Sequence, residues 1–124
     1  MTFAHWCVAI AIMLPLVWVG IAKATADGYD NARPREWLGQ LKGMSQRANW
    51  AQQNSFEAFP AFAAAVIIAH LAGTAQATID VLAGIFIVAR ILHGICYITD
   101  KSSLRSIVWL VGFGITIALF VVAP

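Results

Sequence analysis

The chain has 124 residues, of which 60% are hydrophobic and 11% charged, with a formal net charge of +2. A soluble domain carries roughly a quarter charged residues, so this composition excludes one and makes the bilayer the expected solvent. The small net charge, with no basic cluster interleaved with aromatics, leaves no nucleic-acid footprint. The two cysteines, Cys7 and Cys96, both lie in apolar runs and outline neither a disulfide framework nor a metal site.

In chain order, the first apolar run covers about 4–22, long enough at about 1.5 Å per residue to cross a hydrocarbon core of about 30 Å. Ala24-Thr25-Ala26 has the small residues of a signal-peptidase site, but nothing positive precedes the run, so it reads as a span. His5 and Trp6 read as interface residues. Lys23 to Lys42 is polar and rich in turn chemistry (Asp27, Gly28, Asp30, Asn31, Pro34), which predicts an exposed loop. A second span follows at about 45–72, longer than a bilayer requires, with its start placed between Glu36 and Ser45. A short connection with no Lys or Arg leads to a third span at 79–98. Asp100 to Ser103 form a tight turn in which either serine is a candidate helix cap, and the last span runs 104–123. The expectation is an all-α, integral-membrane four-helix bundle forming a single domain over 1–124.

Lys23, Arg33, Arg35, Lys42 and Arg47 lie in or beside the first connection, Lys101 and Arg105 in or beside the third, and the chain start and second connection have none. By the positive-inside rule the first and third connections are cytoplasmic and both termini lie on the opposite side. A compact multi-pass chain without a targeting signal suits a bacterial inner membrane, and the same orientation fits an endoplasmic reticulum.

The informative stretch is Arg47 to Pro60. At about 100° per residue, Arg47, Trp50, Asn54 and Glu57 share one sector of the second span, and Gln52 and Gln53 add further polar groups. In the third span, Arg90, His93 and Tyr97 also share a face. Ionisable residues in a span point to a functional site. The helical rise puts Glu57 about 6 Å and Arg90 about 12 Å inside the cytoplasmic boundary, so a Glu57–Arg90 pair, or a ligand bridging them, is expected. The same residues also suit an interhelical polar cluster that sets register, and the alanines from Ala61 to Ala69 suit close helix packing.

Asn54-x-x-Glu57 followed by Phe59-Pro60, together with Arg90-x-x-His93-x-x-x-Tyr97, resembles the paired motifs of the MAPEG family, the membrane-associated proteins of eicosanoid and glutathione metabolism. The histidine is shared with the prostaglandin E synthase branch. The resemblance implies a homotrimer holding glutathione in clefts between protomers near the cytoplasmic face. It also implies transferase or peroxidase chemistry on lipophilic small-molecule electrophiles that enter from the bilayer, with membrane lipids as surrounding partners. It suggests Asn54, Glu57, His93 and Tyr97 as glutathione contacts, with Arg47, Gln52 and Arg90 as further binding candidates. Arg105 and Ser106 resemble the pair that polarises the thiol, since a nearby cation raises the thiolate fraction. Four residues before Asn54, where conjugating members carry arginine, this chain has Trp50; Ala58 follows Glu57 where the leukotriene branch commonly has tyrosine; and the Tyr97-to-Arg105 spacing differs by one residue from the prostaglandin branch. The alternative function is a non-catalytic membrane protein that binds a lipid or small anion in the same cleft.

Overall fold

Four apolar runs long enough to cross a bilayer become four helices in the computed structural model, which describes residues 1–124. They are α1 (Phe3–Ala24), α3 (Gly43–Leu71), α4 (Gln76–Ile98) and α5 (Ser102–Val121), with a short α2 (Pro34–Gly39) between the first two spans. α1 and α3 continue through Pro15 and Pro60. The alternating direction of the spans gathers Lys23, Lys42, Arg47, Lys101 and Arg105 at one end of the bundle, and the opposite end has no Lys or Arg.

The core is built on small residues. Ala4, Cys7 and Ala11 of α1 and Ala65 and Ala69 of α3 are buried together with Val66, Ile79 and Ala83, so the backbones approach closely, as small side chains allow in membranes. Phe62 and Phe86 stack within it, centroids 3.7 Å apart. Nearer the charged end, the Trp18 indole donates to Ser55 Oγ at 3.1 Å. It lies against Gly94, where an added Cβ would land on the indole ring. α5 packs mainly on α4 and buries only Gly112, Thr116 and Leu119, leaving the rest of its apolar surface for hydrocarbon or another subunit.

The uncharged end is tied by polar contacts. Thr2 and His5 form a capping box, His5 stacks on His70 at 4.3 Å, and Asp80 Oδ1 accepts from the Ala4 backbone N–H at 2.9 Å. His5, read as an interface residue, is therefore paired with His70.

Two local readings change. The first connection is not wholly an exposed loop. Pro34 starts α2 with a preset φ, and α2 buries Trp37 with Leu41 against Ala22 and Ala48, while Trp37 Nε1 donates to Asp27 O. Neither Ser102 nor Ser103 caps α5. Lys101 holds that position without a side-chain bond, because α5 already begins at Ser102 and both serines lie inside its first turn. That turn is a Schellman motif, with Lys101 N–H to Cys96 O at 2.9 Å and Asp100 N–H to Tyr97 O at 3.2 Å. It places Asp100 at φ 59°, where the equivalent residue after α3 is Gly73 at φ 82°. Asp100→Gly is accordingly expected to stabilise the protein by up to about 1 kcal/mol, read as a higher unfolding temperature in detergent. A lower temperature would assign the Asp100 carboxylate a stabilising contact of its own.

Candidate active site

The polar stripe of α3 meets α4 along the charged half of the bundle. Arg47 gives its Nε and Nη2 donors to the carbonyl of Ile98, at 3.2 and 3.1 Å. It thereby closes the last turn of α4, where carbonyls lack helical partners. One turn on, the Trp50 ring lies 6.2 Å from that of Tyr97. Asn54 Oδ1 accepts a 2.6 Å hydrogen bond from Arg90 Nη2. The expected Glu57–Arg90 pair does not form, and the one ion pair in the chain is Arg33 with Glu36. Arg90 is only 3% exposed. Its long stem carries the guanidinium toward the charged end, as arginine stems in apolar surroundings do, and there Asn54, a turn nearer that end than Glu57, takes the bond. Glu57 lines the clefts around Asn54 without an ionic partner.

From α4 and α5 come the other groups. The His93 and Tyr97 rings meet edge to face at 5.5 Å, and the Arg105 guanidinium sits over the Tyr97 ring at 4.3 Å. Such a stack holds the cation in place. No carboxylate oxygen lies within 4.0 Å of Arg105. Ser106 Oγ donates to Ser102 O at 3.2 Å and retains acceptor capacity. His93 is 2% exposed, and its Nδ1 is buried with no hydrogen-bond partner in the protomer, an arrangement that calls for explanation in a folded protein.

Asn54, His93, Tyr97, Arg105 and Ser106 thus line one cleft of about 410 Å³, completed by Trp109 and Leu110. A neighbouring cleft of about 300 Å³ adds Trp50, Gln53 and Glu57 and shares Asn54 and Tyr97. Gln52 donates to Asn49 Oδ1 at 3.0 Å and, with Arg35 of α2, lines a third cleft, which shares Gln53 and Glu57 with the second, while Arg47 is engaged at the end of α4 and lines none of the three. Sequence reasoning missed Trp109, Gly112, Phe113 and Thr116 of α5, which line the space beside Glu57 and Arg90. Their i, i+3, i+4, i+7 spacing marks one helical face, but nothing in it says which helix that face meets.

The chemistry available is that of anion binding. An arginine without an ionic partner, a phenol, an imidazole and a hydroxyl surround one opening, with a carboxylate nearby that suits an ammonium group. No curated protein and no solved structure matches the chain. A protein-family profile does, that of the MAPEG family, over residues 3–123. With the profile spanning nearly the whole chain and four apolar helices carrying the site, this multi-pass membrane protein belongs to the MAPEG family.

Proposed function

We propose that the protein is a glutathione-dependent transferase or peroxidase acting on lipophilic electrophiles at the cytoplasmic rim of the membrane. The observation that carries this reading is the cleft in which Arg105, without an ionic partner, faces His93, Tyr97, Ser106 and Asn54. In it Arg105 holds the sulfur as thiolate, Ser106 and Tyr97 orient it, and Glu57 takes the tripeptide's ammonium group from the adjoining cleft. The clefts open outward, and large apolar side chains on every span, such as Phe56, Val88 and Leu110, are exposed in the single protomer. Both features favour a homotrimer whose neighbouring copy closes the site. The charge distribution favours a cytoplasmic charged end, with both termini opposite, as in a bacterial inner membrane.

The test is an ultraviolet difference titration of the detergent-purified protein with glutathione. Saturable thiolate absorbance at neutral pH is expected, with affinity lowered about tenfold or more in Glu57→Gln, which loses the charged partner of the ammonium group. A flat spectrum would reject thiol activation. One observation favours a second reading, a non-catalytic lipid- or anion-binding protein: Trp50, 41% exposed, occupies the cleft wall where conjugating relatives carry arginine. On that reading a lipid co-purifies and glutathione does not displace it.

A further inference from the structure

At the end of the bundle that has no Lys or Arg, α4 carries a carboxylate. Asp80 lies about 6 Å along the helix from its start at Gln76 and is half-buried. Its Oδ1 accepts from the Ala4 backbone N–H at 2.9 Å and from Gln76 Nε2 at 2.8 Å, which fixes the carboxylate against α1, while Oδ2 accepts no hydrogen bond in the protomer. Neither a histidine nor the terminal ammonium lies within 4.0 Å of it. An ionisable group in a span needs a partner, and this end of the chain has no Lys or Arg to supply one. From Asp80 a groove of about 510 Å³ runs along α4 into the membrane, lined by Val81, Gly84, Ile85 and Val88, with Phe3 of α1 as its side wall. Val81 to Val88 covers about 10 Å of helical rise. Gly84 lets the Phe3 ring lie close on α4, since a Cβ there would stand 3.2 Å from Phe3 Cε1. Phe3, Val81 and Val88 are exposed, so the groove faces outward.

We propose that this groove binds a phosphatidylethanolamine, with the ammonium on Asp80 Oδ2 and the upper part of an acyl chain along Val81, Ile85 and Val88. The inference is independent of the glutathione reading. Charge sets the headgroup. A primary ammonium has three N–H donors and makes a charge-assisted hydrogen bond to the free Oδ2, whereas a choline headgroup has no N–H and keeps only the Coulomb attraction. Shape sets the rest of the ligand. Below the carboxylate every lining residue is apolar or glycine, and the groove follows the helix toward the bilayer centre, the direction an acyl chain takes beneath its headgroup. The lipid phosphate stays in water and needs no cation from this end of the bundle. A second copy of the chain packed here would bring no Lys or Arg to this depth and would leave the carboxylate unpaired. Because Asp80 also holds the Ala4 N–H, the bound lipid fastens the start of α1 to α4 at the end opposite the Arg105 cleft.

The experiment reconstitutes the full-length protein in vesicles of equal parts phosphatidylethanolamine and phosphatidylcholine, extracts it in mild detergent and quantifies the retained lipid by mass spectrometry. Phosphatidylethanolamine is expected to be enriched about fivefold over phosphatidylcholine, the worth of one net hydrogen bond. Asp80→Asn keeps Oδ1 as the acceptor for α1 and puts N–H donors where Oδ2 stood, so the enrichment should vanish. Monomethylated and dimethylated headgroups, tested on the parent protein, should fall between the two lipids in order of their remaining N–H donors. Val88→Trp fills the groove away from the contact with α1 and should lower retention of both lipids without changing their ratio. Equal retention of the two lipids by the parent protein would overturn the proposal, as would an enrichment that survives Asp80→Asn or ignores headgroup methylation. Retention of neither lipid would overturn it as well, and cross-linking between protomers in Val88→Cys would then give the groove to a second copy.

Discussion

Arg105→Ala, titrated with glutathione, is expected to show no thiolate absorbance at neutral pH and to lose glutathione-dependent turnover about a hundredfold or more, the scale seen when one preplaced electrostatic donor is removed from an active site. The reason is the isolation of this cation. It lies over the Tyr97 ring at 4.3 Å with no carboxylate within 4.0 Å, so its charge is uncompensated and directed at whatever occupies the cleft. Arg105→Lys keeps the charge but not the planar guanidinium that stacks on the ring, and should recover part of the band. Tyr97→Phe preserves the stack, so its band should persist while affinity falls through the lost phenol. An undiminished band in Arg105→Ala would move thiol activation to His93 or Ser106.

Gly94→Val should be the most destabilising single change in the bundle, by about 2–5 kcal/mol from overpacking together with a stranded indole donor. Any Cβ at this position lands on the buried Trp18 ring, which would have to shift to admit it. Moving the ring breaks the Trp18–Ser55 hydrogen bond that joins α1 to α3. The loss would appear as a lower unfolding temperature in detergent. Trp18→Leu on the same background removes the obstruction, so the double variant should be markedly more stable than the sum of the two single effects. Additive losses would show that the contact does not govern packing here.

Much of this protein follows from its solvent. In hydrocarbon every backbone polar group must be satisfied within the chain, which restricts long apolar segments to helices. The four runs are therefore legible as spans to within a few residues, as at Phe3–Ala24 and Gly43–Leu71. The periodicity of Asn54 and Glu57, and of Arg90, His93 and Tyr97, likewise marks the faces that avoid lipid, and the structure turns those faces toward one another. Spacing carries no information on which pairs meet across the interface. Depth and charge match Arg90 to Glu57, yet it bonds Asn54, because a flexible arginine stem reaches along the helix and not only outward. Arg47 shares the stripe's phase but is taken by the open carbonyl of Ile98, a demand set by where α4 ends. Trp37 folds onto the ends of α1 and α3 from a stretch whose turn residues read as a loop.

The sequence by itself determined the solvent, the number of spans, the end that carries the charge and the residues facing inward, because hydrophobicity and helical period are local properties of the chain. Tertiary structure alone decided that Asn54 joins Arg90, that Arg105 lies over Tyr97 without an ionic partner, and that Gly94 makes room for Trp18. It also decided that the α5 face from Trp109 to Thr116 closes a cavity beside the Arg105 cleft. Each of these depends on the rotation and depth of one helix against another, and those are set by the packing of side chains far apart in the chain.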